Sequence, residues 1–141
     1  MMLLIILNNF CHLKDSKEII FNNIIPHTTG ASSSVTCVMP ELIGKINGTS
    51  VRVPVLTSHC ESVNVEFVRS VNYEDIISAL ETFPGIKIMD DPNTNSFPEP
   101  IKCSGLNDIF VGRIRPDIDD TTHWNFFVCG DQLIKGSGLN A

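Results

Sequence analysis

Charge is scarce in this 141-residue sequence. Charged residues make up 18% of the chain against 43% hydrophobic, a composition of folded proteins rather than disordered ones. So thin a charge leaves surface for a partner to cover. Basic clusters are absent and the net charge is −6. A nucleic-acid backbone or an anionic membrane needs local positive charge, so neither is expected as a partner. Long apolar runs are lacking too: the opening MMLLIILNNF has six or seven apolar residues in a row, far short of the ~20 that cross a bilayer. It also lacks the basic start of a secretory signal, and a buried strand is the expectation. The five cysteines, Cys11, Cys37, Cys60, Cys103 and Cys129, are odd in number and form no C-x-x-C pair. That argues against a zinc or redox motif and for reduced thiols in a cytoplasmic-type compartment. No G-x-G-x-x-G, internal repeat or low-complexity tract occurs.

What is present predicts one compact domain over residues 1–141, a length that buries roughly two-thirds of the surface of the unfolded chain. EIIFNNIIPHTTGASSS reads as a strand entering a loop at its Thr/Gly/Ser cluster, and VTCVMPELIG as a short helix stopped by Pro40 and Gly44. SVNVEFV alternates, with Val63, Val65 and Phe67 on one face and Ser62, Asn64 and Glu66 on the other, the period of a half-buried strand. NYEDIISALETFPG predicts an amphipathic helix with Asn72 as N-cap, acidic residues in its first turn, an Ile76/Ile77/Leu80 stripe and a Pro84-Gly85 stop. IKIMDDP, DIFVGRIRPD and HWNFFVCG read as strands, with Arg113 and Arg115 sharing a face and NTNSFPEP as a loop. The closing DQLIKGSGLNA reads as a helix cut short at its start. The predicted fold class is α+β: a mainly antiparallel, mixed sheet with helices packed on one face.

In VRVPVLTSHCES, a strand-like apolar segment carries Arg52 and, seven residues on, His59. Arginine presents a planar fork of donors to a carboxylate or phosphate, and histidine exchanges a proton near neutral pH, so the pair suits acid/base chemistry on an anion. An odd spacing puts the two on opposite faces of an unbroken strand. They share a site only if the chain bends, for which Pro54 and Thr57-Ser58 offer the place. Failing that, the pair reads as a rim arginine and a structural histidine.

The order RVPVLTSHCESVNVEF, PGIKIMDDP, DIFVGRIRPD, VCGDQLIKGSGLNA over residues 51–141 resembles the C-terminal catalytic and dimerisation domain of aspartate-semialdehyde dehydrogenases. That family carries R-V-P, G-H-S-E-S-V, D-D-P, F-V-G-R-I-R and G-D-N-L-x-K-G-A-A-L-N-A in the same order. The resemblance implies that Arg52 holds the substrate carboxylate, that His59 is the acid/base of thiohemiacetal and thioester chemistry, and that Asn140 lies near the nicotinamide of NADP. Ser58 replaces the family glycine before the histidine, and Cys60 the serine after it. The block NIIPHTTGASSSVTCVMPELIGKINGTSVRVPV, in residues 23–55, looks closer to glyceraldehyde-3-phosphate dehydrogenase. There Thr29, Gly30 and Arg52 match the site of the attacking phosphate. The two families share a catalytic-domain fold and a phosphorylating aldehyde oxidation, with Arg52 at an anion site in both. The E-x-x-K phosphate motif of many aspartate-semialdehyde dehydrogenases is not evident.

Two parts that such a reaction needs are missing: a cysteine in an S/G-N-C or G-C context at a helix N-terminus, and a nucleotide-binding domain. The resemblance therefore implies a partial, NADP-dependent oxidoreductase of amino-acid biosynthesis, cytoplasmic, inactive alone, and pairing as a homodimer or with a complementary nucleotide-binding chain. The competing readings are a non-catalytic dimerisation protein, a relic, and a fragment of glyceraldehyde-3-phosphate dehydrogenase.

Overall fold

The computed structural model describes residues 2–11, 23–27 and 31–138. Its elements run β1 (Met2–Cys11), β2 (Ile25–His27), α1 (Ala31–Val38), β3 (Ile46–Arg52), β4 (His59–Phe67), α2 (Tyr73–Thr82), β5 (Ile86–Ile88), α3 (Pro100–Cys103), β6 (Ile109–Asp117) and β7 (Asp120–Gly130). A 3-10 turn at Pro40–Leu42 and a wide helical turn at Ile134–Gly138 complete them. The strands form one sheet in the order β2-β3-β1-β4-β7-β6-β5. β1–β3 and β5–β6 are parallel, and the other pairings antiparallel. The mixed, mainly antiparallel sheet is the predicted class.

The alternation of β4 organises the core. Val65 opposes Trp124 and Val63 opposes Phe126 in the β4–β7 ladder. On that face Ile76 of α2 packs with Val111, Ile114 and Trp124, and Phe67, Ile77, Leu80 and Val128 join them. The Trp124 indole N–H donates to the Thr121 carbonyl at 3.0 Å, so its one polar atom is satisfied inside an apolar layer, as burial requires. Truncating it to alanine would cost about 3–5 kcal/mol. α2 starts as predicted: Asn72 Oδ1 accepts the Asp75 amide at 2.8 Å, and Glu74 and Asp75 occupy the first turn. The single turn of α3 brings Cys103 against Cys60, Phe110 and Cys129 on the opposite face.

In three places the structure departs from the sequence pattern or adds to it. Ala31–Ser34 belong to α1 rather than to a loop, so the helix starts before Val35 and ends ahead of Pro40. β3 begins at Ile46, through an Asn-Gly-Thr-Ser stretch without apolar alternation, because β1 pairs with it along its whole length, and β2 joins it at Ser50, Val51 and Arg52. β6 is bulged between Gly112 and Arg115, with Arg113 at φ +54. Asp90 closes the bulge, its two oxygens accepting the amides of Arg113 (2.9 Å) and Ile114 (2.8 Å). The bulge re-aims Ile114 into the core and leaves Arg113 exposed over the Phe97 ring, 4.8 Å from its centroid. Asp91 accepts from the Asn93 amide and the Thr94 hydroxyl in the turn that follows. The D-D-P block is thus a structural clasp.

Candidate functional site

Arg52 ends β3 and His59 starts β4, and both strands flank β1. Arg52 is level with residue 11 of β1, and the pairing of residue 10 with Cys60 sets His59 level with residue 11 from the other side. Residues level across a sheet share a face. Arg52 and His59 therefore lie on one face at one end of the sheet, about 10 Å apart at their Cα atoms, which is two interstrand spacings. Val53–Ser58, outside any strand, carries the chain past the end of β1. It is the bend that a shared site demanded.

The last step of that bend is a left-handed residue. Ser58 has φ +78 and is 1% exposed. For a residue with a Cβ this region costs roughly 1–2 kcal/mol, and the resembling family has glycine there. The serine is held by its contacts: its amide donates to Gln132 Oε1 at 2.7 Å, and its hydroxyl lies 2.8 Å from Ser104 Oγ. The Ser104 hydroxyl is also within 2.7 Å of the Pro100 carbonyl. The departure from glycine thus keeps the glycine conformation and adds a tie to α3.

His59 and Glu61 line a cavity of about 200 Å³ with Ile109, Val128, Gly130, Asp131 and Gln132. His59 opposes Gly130 in the ladder. A Cβ at Gly130 would stand 2.3 Å from Ile109 Cδ1, so a larger residue at this floor position would push the end of the Ile109 side chain aside. Burial pushes the Glu61 carboxyl above the usual range. Asp131, 4% exposed, accepts the amides of Gly105 and Leu133, one on each carboxylate oxygen and both at 2.8 Å, and is held below the ordinary aspartate value chiefly by the Gly105 bond. Glu61 had no role in the reading of the sequence. The available signal was its two-residue spacing from His59, which puts both on one strand face. A larger, open apolar depression of about 570 Å³, lined by Val55, Leu56, Thr57, Pro100 and Ile101, borders the Val53–Ser58 segment away from His59.

Cys60 lies on the opposite face from His59, as alternation demands, and is 5% exposed within the Cys103/Phe110/Cys129 cluster. It cannot attack a substrate held at His59. Thr29, Gly30 and Asn140 lie outside the described residues. The two described strand-to-helix connections, Val68–Asn72 and Met89–Glu99, contain no glycine, so neither is a pyrophosphate cradle. These two connections offer no backbone cradle for the pyrophosphate of NADP. Among them, no helix is long and apolar enough to cross a membrane.

The fold is a seven-stranded mixed sheet of the α+β class, with Arg52 and His59 on one face at one end. The chain belongs to the semialdehyde dehydrogenase family, dimerisation domain, which it matches over residues 30–135. That span includes most of the block resembling glyceraldehyde-3-phosphate dehydrogenase. The aspartate-semialdehyde dehydrogenase of Prochlorococcus marinus is 45% identical over 96 residues, covering 68% of this chain and 28% of that protein. The Bacillus subtilis enzyme is 40% identical over 104 residues, 73% of this chain and 30% of its own. The chain thus spans less than a third of these relatives. Among solved structures, aspartate semialdehyde dehydrogenase II from Vibrio cholerae superposes with a TM-score of 0.80 at 21% identity, covering 96% of this chain and 51% of that one. A probable aspartate-semialdehyde dehydrogenase from Pseudomonas aeruginosa gives 0.81 at 16%, covering 96% and 52%. These two likenesses concern the fold.

Proposed function

We propose that residues 1–141 act as one unit supplying the carboxylate-binding and acid/base half of an aspartate-semialdehyde dehydrogenase, with its dimer-forming sheet. The observation that carries this reading is the convergence of Arg52 and His59 on one sheet face across β1, fixed by the left-handed turn at Ser58. The Arg52 guanidinium clamps the substrate carboxylate through two parallel N–H donors. The His59 ring nitrogen takes the proton of an incoming thiol, returns it to the carbonyl oxygen, and removes it as the thioester forms. The half-buried Glu61 carboxyl two residues on lines the same cavity as that imidazole.

The nucleophilic cysteine and the nucleotide site come from a separate or additional domain, so residues 1–141 alone do not turn over. When bound there, NADP supplies the hydride acceptor. Thr29 and Gly30 are the candidates for attacking phosphate, and Asn140 for the nicotinamide end. Cytoplasmic amino-acid biosynthesis and a homodimer, or a pair with a complementary nucleotide-binding chain, belong to the same reading. The test mixes the purified chain with a separately expressed nucleotide-binding domain of a relative and follows phosphate-dependent NADP reduction by aspartate semialdehyde. The expectation is no turnover for either part and turnover for the mixture, abolished by H59A. Turnover by the chain alone, or a mixture indifferent to H59A, contradicts the reading.

A further inference from the structure

On the sheet face away from His59, two thiols are opposed across β4 and β7. Cys60 and Cys129 are register partners with their Sγ atoms 3.4 Å apart. Opposed residues of an antiparallel pair have Cα atoms about 4.5–5.5 Å apart, inside the roughly 4.4–6.8 Å that a disulfide spans. Closing the sulfurs to bonding distance takes a movement of about 1.4 Å. Cys103 packs on the same pair, but it comes from α3 rather than from the ladder. Access is unequal: Cys60 is 5% exposed, and Cys129 and Cys103 are both 0%. The Cys129 hydrogen bond lowers the Cys60 thiol, while the same contact raises Cys129.

We propose that Cys60 and Cys129 form a site of reversible oxidation by a small peroxide, with Cys60 attacked first and Cys129 resolving. The Cys60 sulfur attacks one oxygen of hydrogen peroxide, the O–O bond breaks, and a sulfenic acid and one water result. The Cys129 sulfur then attacks the sulfenic sulfur, the S–O bond breaks, and the hydroxyl leaves with the Cys129 proton as a second water. Two thiols lose two electrons in all, and one peroxide becomes two waters. The new bond fixes β4 to β7 one register step from the His59–Gly130 pair, and it stands whatever His59 does.

The full chain is treated with hydrogen peroxide, alkylated, digested and mapped by mass spectrometry. The expected result is loss of two alkylatable thiols and a peptide pair joined through Cys60 and Cys129, undone by dithiothreitol. In C129S, dimedone labels Cys60. The proposal is overturned if Cys60 and Cys129 stay alkylatable while the exposed Cys37 oxidises, if Cys129 links to Cys103 instead, or if dimedone labels Cys129 in C60S. Linkage mapping on the unmodified chain decides the central point even if a variant does not fold.

Discussion

The Ser58 amide donates to Gln132 Oε1 at 2.7 Å, joining residues 74 positions apart at the entrance to the His59 cavity. The bond ties the turn before β4 to the segment after β7. Both ends depart from the residues of the resembling family, glycine at one and asparagine at the other.

Ser58 tests what holds that turn. Ser58→Ala keeps the strained backbone and removes the hydroxyl bond to Ser104, so it should lose about 1 kcal/mol. Ser58→Gly removes the same bond and the strain together, and should be the more stable of the two variants by about 1 kcal/mol. Urea denaturation of the two variants and the parent checks the order. Glycine less stable than alanine would count against a left-handed Ser58.

Asp131 joins the α3–β6 connection to the C-terminal turn through two amides. Asp131→Asn should destabilise by about 1–3 kcal/mol, since the amide keeps one acceptor oxygen but faces the second N–H with its own NH2 and carries no charge. The folded aspartate is held below its ordinary value. Its contribution is therefore complete above the unfolded pKa of about 3.9 and is lost as pH falls through the lowered folded value. The stability gap between parent and variant should be full at pH 6 and shrink below about pH 4. A gap independent of pH would exclude the charge as its source.

Glu61 works in the opposite sense. Burial raises its folded pKa, so the native state holds a proton that the unfolded chain has released. Stability falls as pH rises from the ordinary glutamate value near 4.3 through the raised one. Glu61→Gln should flatten that decline, gaining more relative to the parent at pH 7 than at pH 4. Thermal unfolding of both proteins across that range reads it directly, and an equal offset at both ends would refute it.

Local patterns carried much of this fold. The period-two run of β4 and the capped stripe of α2 declare themselves within ten residues, because neighbours on one face bury together. What stayed hidden depends on remote partners. α1 takes in Ser32, Ser33 and Ser34, which read as loop composition, and β3 holds Asn47, Gly48 and Thr49 in a strand because β1 pairs with them residue for residue. The bulge at Arg113 needs the Asp90 carboxylate, 23 residues away. The site follows the same division. Arg52 and His59 are visible as residue types, and the bend between them is legible, but that they share a face follows only from β1 pairing with both of their strands.

The convergence of Arg52 and His59 is the central claim, and an NMR titration of the histidine ring resonances with L-aspartate as carboxylate probe tests it most directly. The account predicts a saturable shift at His59 and none at His123, which opposes Glu66 at the other end of the β4–β7 ladder. Arg52→Ala should weaken that response by at least about tenfold, the loss expected for a charged bidentate contact. A His59 resonance that ignores aspartate, or that responds equally without Arg52, would contradict a shared site.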